Sequence, residues 1–106
     1  MLAGADGVVS VASNVLPRAF RRLCDLARAG SADDARAWDS RCAAVCDFLG
    51  VEPNPIPVKA LLARAGVGHG LRLPLLPLSA AHQDAAARMA ALVAELEDHC
   101  RTSVAA

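Results

Sequence analysis

Few side chains in this chain could do chemistry, and their scarcity narrows the reading. Lys59 is the only lysine among 106 residues, and tyrosine is absent. A lysine at the start of a helix can form a Schiff base with a carbonyl substrate once its amine is desolvated. An exposed lysine there pairs with a carboxylate or extends to solvent instead, and that is the reading favoured for Lys59. His69, His82 and His99 are spread over a loop, a helix start and a helix end, with no nucleophile beside them in sequence; His82 is placed to help the helix that begins near Ser79. Ser10 lies outside any Gly-x-Ser-x-Gly elbow. Gly4-Ala5-Asp6-Gly7 precedes an apolar run, whereas a phosphate-binding glycine loop follows a strand and opens a helix, so Asp6 reads as a turn residue. Cys24, Cys42, Cys46 and Cys100 lack CxxC spacing and a neighbouring ligand histidine. They read as small buried apolar side chains rather than a metal site or disulfides. Glu52 and Asn54 interrupt a proline run, either as a binding loop or, as favoured here, by bonding the backbone that prolines leave unpaired.

The elements that must position these residues follow from pattern. Gly7 to Val11 is a short β-branched run with almost no polar alternation, which predicts a strand buried on both faces. Asn14 to Pro17 is a loop, with Pro17 suited to a helix start. A first helix is expected from Pro17 to Ala29, with Phe20, Leu23, Cys24 and Ala27 on its apolar stripe and Gly30 as its stop. Ser31 is expected to cap a second helix to Leu49, with Asp33 and Asp34 in its first turn. Its buried face should hold Ala35, Trp38, Cys42, Val45, Cys46 and Leu49. Val51-Glu52-Pro53-Asn54-Pro55-Ile56-Pro57-Val58-Lys59 then reads as a rigid, extended and packed approach to a third helix, Pro57 to Ala65. Gly66 to Leu78 is irregular, and its many leucines predict packing. Ser79 should cap a last helix from Ala80 to Cys100, buried along Ala85, Met89, Leu92, Val93, Leu96 and Cys100; the final residues are expected to fray.

Composition sets the outer bounds. Apolar residues make up 55% of the chain and aromatics 3%, which argues for a core of Ala, Leu and Val and against disorder. Eleven basic and eleven acidic residues balance to a net charge of zero, so nothing electrostatic points to nucleic acid or an anionic membrane. No apolar run reaches the ~18 residues of a membrane span, and no basic-then-apolar leader is visible; the cytoplasm is the expected location. The expected fold class is mostly α with one short strand. One parallel-type strand makes no sheet, so its neighbours must come from another chain or from a longer form of this one.

Two motifs then carry a resemblance. Gly4 through Pro17 is similar to a Gly-x-x-Gly-Val-Ile-Ser-Val strand followed by an Asn-x-x-Pro loop. Val51 to Lys59 matches a Val-Glu-Pro-Asn-Pro-Ile-Pro-Val-Lys segment, and Leu71 to Leu78 a Leu-Arg-Leu-Pro-Leu-x-Pro-Leu segment. In this order they resemble the C-terminal portion of the 4-hydroxy-tetrahydrodipicolinate synthase (dihydrodipicolinate synthase) family. The resemblance implies the last βα unit of a (β/α)8 TIM barrel, residues 1–30, plus an appended C-terminal three-helix domain, residues 31–106. It implies a Schiff-base lyase that condenses pyruvate with aspartate semialdehyde in lysine biosynthesis, without a cofactor, as a homo-oligomer. The Schiff-base lysine, the proton-relay tyrosines and the carboxylate-binding arginine of the family fall outside this chain. Lys59 matches the lysine of the proline motif, not the catalytic one. Val9 matches the residue that lines the pyruvate pocket through its backbone carbonyl, as expected where barrel sites sit at strand C-terminal ends. A chain starting just before the last strand is expected to be a fragment, inactive alone. Two alternatives stay open: a non-catalytic helical module, perhaps pairing with a separate barrel chain, and a fragment of a related pyruvate lyase acting on sugar acids.

Overall fold

A computed structural model describes the backbone of residues 1–105 and the side chains as far as Arg101. Four helices carry the fold: α1 Pro17–Arg28, α2 Ala32–Phe48, α3 Ile56–Arg64 and α4 Gln83–Ala105. Single 3-10 turns, Ala12–Asn14 and Ala80–His82, precede α1 and α4. The expected fraying at the end concerns residues 102–106, outside the described side chains.

The helices start and stop for local reasons. Pro17 opens α1, where its missing N–H costs nothing. After α1 the Gly30 amide donates to the Ala27 carbonyl and the Ser31 amide to Leu26, at 3.1 and 3.0 Å. That pairing needs a left-handed residue, and Gly30 supplies it with φ of 78°. The same pair of bonds closes α3, from Gly66 to Ala63 and from Val67 to Leu62, with Gly66 at φ 82°. Asp33 and Asp34 lie in the first turn of α2, as expected from the helix dipole.

The core is continuous across all four helices, and α4 touches each of the other three. Leu16, Ala19, Cys42, Val45, Leu96 and Cys100 are almost wholly buried, joined by Trp38, Phe48, Ile56, Val58 and Leu61. Trp38 ties three helices together. Its indole Nε1 donates to the Ala19 carbonyl of α1 at 2.8 Å. The His99 ring of α4 stacks on it with centroids 5.5 Å apart. The guanidinium groups of Arg22 and Arg41 each lie 4.8 Å from the indole centroid, an arrangement the ring's negative face favours.

Several expectations are corrected. No strand forms at Gly7 to Val11, or anywhere among the described residues. Val8, Val9 and Val11 are exposed rather than buried, because a strand's N–H and C=O groups pair only across to another strand. The proline run is bent, not extended: the Ile56 amide donates back to the Pro53 carbonyl at 2.9 Å, closing a turn. Packing begins where the turn ends, at Ile56, Pro57 and Val58. Cys46 is exposed and Phe48 takes its place on the buried face of α2. Ser31 and Ser79 occupy cap positions without a capping side-chain bond. The leucine-rich loop packs in part: Leu71, Leu75 and Leu78 join the core, while Leu73 and Leu76 face solvent.

Candidate functional site

The one residue for which the family resemblance implies a substrate contact is Val9, and the segment just after it folds into a turn. Ser10 Oγ accepts the Ala12 amide at 3.1 Å. The Ser13 hydroxyl donates back to the Ser10 carbonyl at 2.7 Å, and the Asn14 side-chain amide to Val11 at 3.0 Å. Small hydroxyl and amide side chains thus close the turn upon itself. The Leu16 amide then donates to the Ala12 carbonyl at 2.9 Å, joining the turn to α1. Beside the turn is a shallow groove of about 430 Å³ lined by Ser10, Val11, Phe20, Cys46, Leu49 and Asn54. Val9 itself lies outside this groove with its side chain fully exposed.

One anchor of this region has no motif in the sequence. Leu16, the residue capping α1, offers no side-chain bond, and the first turn of α1 holds no acidic residue. Glu97 of α4 takes that role. Its two carboxylate oxygens accept the amides of Arg18 and Ala19 at 3.1 and 2.8 Å. These are the free donors of a helix start, and a carboxylate there also meets the positive end of the helix dipole. The signal was invisible because donor and acceptor lie 79 and 78 residues apart.

The other candidates are dispersed. Lys59 is exposed on α3 at the edge of a different groove, with Ile56, Arg64 and Gln83. Glu52 does not serve its own proline run: its Oε1 accepts both the amide and the hydroxyl of Ser79, at 2.9 and 2.8 Å. Those two bonds hold its carboxyl below the ordinary carboxylate range, aided by His82. Glu52 therefore staples the proline turn to the start of α4, and Ser79 is spent on that staple rather than on a cap. His82 serves the helix start through its backbone, which donates to the Ser79 carbonyl at 3.1 Å. His99 stacks on Trp38, and His69 is exposed in its loop. Asn54 borders the groove next to Ser10, while Asp6 is exposed ahead of the turn.

The Cys42, Cys46 and Cys100 thiols are not poised to react. Burial pushes Cys42 up to about 11, with Cys46 and Asp39 adding to the effect. Desolvation, then Asp39 and Asp47, raises Cys46, and burial raises Cys100 despite Arg22 nearby. A thiol with raised pKa is a poor nucleophile at neutral pH. Among the described residues no three His, Cys, Asp or Glu side chains are grouped to hold a metal ion. A groove of about 600 Å³ along α1 is lined by Arg18, Arg21, Arg22, Asp25, Leu26 and Cys100, among others; Arg21 is already paired with Asp25 at 3.0 Å.

Known proteins share this sequence and fold over part of their length. The chain is 70% identical over 97 residues to the 4-hydroxy-tetrahydrodipicolinate synthase of Xanthomonas campestris, covering 92% of this chain and 32% of that protein. It is 60% identical over 95 residues to the synthase of Stenotrophomonas maltophilia, covering 90% and 32%. The chain thus spans about a third of the length of these curated relatives. Among solved structures it is similar to the chloride-inhibited dihydrodipicolinate synthase of Acinetobacter baumannii complexed with pyruvate. The TM-score is 0.82 at 34% identity, over 88% of this chain and 32% of that one. A monomeric dihydrodipicolinate synthase variant superposes with a TM-score of 0.71 at 37% identity, over 89% and 29%. The sequence model of the dihydrodipicolinate synthetase family matches residues 1–93, and the chain belongs to that family.

Proposed function

We propose that this chain is the C-terminal part of a lyase that condenses pyruvate with aspartate semialdehyde through a Schiff base, in lysine biosynthesis. The 70% identity to a 4-hydroxy-tetrahydrodipicolinate synthase carries the reading. In it, residues 1–30 supply the last strand and helix of a TIM barrel, and residues 31–106 a helical domain appended to it. Gly7 to Val11 becomes a strand when neighbouring strands satisfy its backbone. The Val9 carbonyl then lines the pyruvate pocket at the strand's C-terminal end. The assembled enzyme is a homo-oligomer in the cytoplasm; no described helix is long and apolar enough to cross a membrane.

The chemistry divides cleanly between this chain and the rest of the enzyme. A lysine amine adds to the pyruvate ketone and water leaves to give an imine; loss of a methyl proton to a base makes the enamine, which adds to the aldehyde as the shuttle returns a proton to the new alkoxide. That needs a desolvated lysine and a proton shuttle. The chain has one lysine, exposed on α3, and no tyrosine. Its share is therefore binding and support, and alone it is inactive. Co-expression with the N-terminal two-thirds of the Xanthomonas campestris relative tests this. Pyruvate-dependent condensation is expected only from the pair. Turnover by the chain alone, or none from a soluble, co-purifying pair, would overturn it.

A further inference from the structure

We infer that Glu97 is a positioning residue for the pyruvate pocket: from the appended domain it fixes the start of α1 and, through it, the turn that follows Val9. The inference rests on the functional reading above and goes beyond it. Glu97 lies past the segment that the family model matches, residues 1–93.

The connection alternates hydrogen bonds with single steps along the covalent backbone. Glu97 accepts the Arg18 and Ala19 amides. The Phe20 amide donates to the Leu16 carbonyl at 2.9 Å, and the Leu16 amide to Ala12, also at 2.9 Å. The Ala12 amide ends on Ser10 Oγ, next to Val9. Pro17 has no amide to contribute, so Arg18 and Ala19 are the first donors of α1 that anything can hold. Glu97 also lines a cavity of about 370 Å³ together with Asn14, Val15, Pro17 and Arg18. Glu97 is half-buried on a helix that contacts α1, α2 and α3, so it is held by the most connected element of the fold. A group that orients a pocket from outside acts on substrate affinity, since small displacements of a binding backbone weaken the bound geometry.

Glu97→Ala and Glu97→Gln test this in the co-expressed enzyme, with hydrogen exchange on the chain itself as a second readout. Glu97→Ala removes both acceptors, and amides at 12–19 should exchange about fivefold faster while α2 and α3 keep their protection. In the assembled enzyme, KM for pyruvate should rise about fivefold, with kcat and the KM for aspartate semialdehyde within about twofold of wild type. Glu97→Gln keeps one acceptor oxygen and should recover part of both effects. Glu95→Gln, an exposed neighbour on α4, serves as the control and should change neither. Faster exchange at 12–19 with an unchanged pyruvate KM would reduce Glu97 to a structural cap and overturn the inference alone. Loss of protection throughout the chain would overturn it too. A wild-type pair that does not turn over would instead overturn the functional reading, and the inference with it.

Discussion

Residues 7–11 and the helices α2 and α3 all carry valine, and their valines meet opposite fates. Val8, Val9 and Val11 are 62%, 105% and 42% exposed, while Val45 and Val58 are 0% and 4% exposed. Hydrophobicity alone therefore does not decide burial here. A helix closes its backbone bonds within its own segment, so α2 and α3 can form and then bury a face against α4. A strand cannot, and its apolar side chains have no surface to pack on without neighbours. The chain thus separates its two tasks. The helical part holds itself together, and the first segment, to which the proposed function gives the Val9 contact, does not.

Substitutions can break or sharpen that contrast. The largest effect should come from Trp38→Ala, which removes a buried ring, its bond to the Ala19 carbonyl and its stack with His99. A loss of about 3–5 kcal/mol is expected from urea unfolding, enough to unfold a marginal domain. Leu96→Ala, at 1% exposed, should follow at about 2–5 kcal/mol.

Two titrations come next. The Cys42 thiol sits at about 11 in the fold against 9.0 for the free side chain. Its folded pKa is raised, so its contribution is complete below the unfolded value and disappears as pH climbs through the folded one. Stability should decline from pH 9 towards about 11, and Cys42→Ala should flatten that decline. Glu52 has the opposite sign. Its pKa is lowered by the Ser79 bonds from 4.5, so its contribution is present above the unfolded value and is lost as pH falls through the folded one. Glu52→Gln should remove that acid-side dependence in thermal melts at several pH values.

The smallest effect should come from Val9→Asp in the chain alone, within about 0.5 kcal/mol as for an exposed position. The same change in the co-expressed enzyme should abolish assembly or turnover, because it places a charge in a covered strand. Equal tolerance in both settings would erase the distinction between the two regions.

Much of the helical part was legible in the sequence because helices announce their ends locally. Pro17, Gly30 and Gly66 mark boundaries that the structure reproduces to within a residue or so. The periodic stripes identified Trp38, Cys42, Val45, Leu96 and Cys100 as core. Cys46 was misplaced because i and i+4 drift around a helix surface, leaving Phe48 over the core instead. The strand was read from residue type, which reports a preference that only pairing can realise. Ser31 and Ser79 were assigned caps by type as well, but a distant carboxylate claimed Ser79. Glu97 and Glu52 were missed as anchors because their partners are far away in sequence, 79 and 27 residues off. The family was recognisable from its proline and leucine motifs, and Lys59 in that motif is exposed on α3 rather than enclosed in a site.

That placement of Lys59 makes borohydride trapping with pyruvate the most direct test of the central claim, with the modified lysine located by mass spectrometry. The chain alone should remain unmodified at Lys59. In the co-expressed pair, the reduced pyruvate adduct should appear on the barrel portion only. An adduct on the Lys59 peptide of the isolated chain would contradict the account, since the chain would then contain its own Schiff-base site.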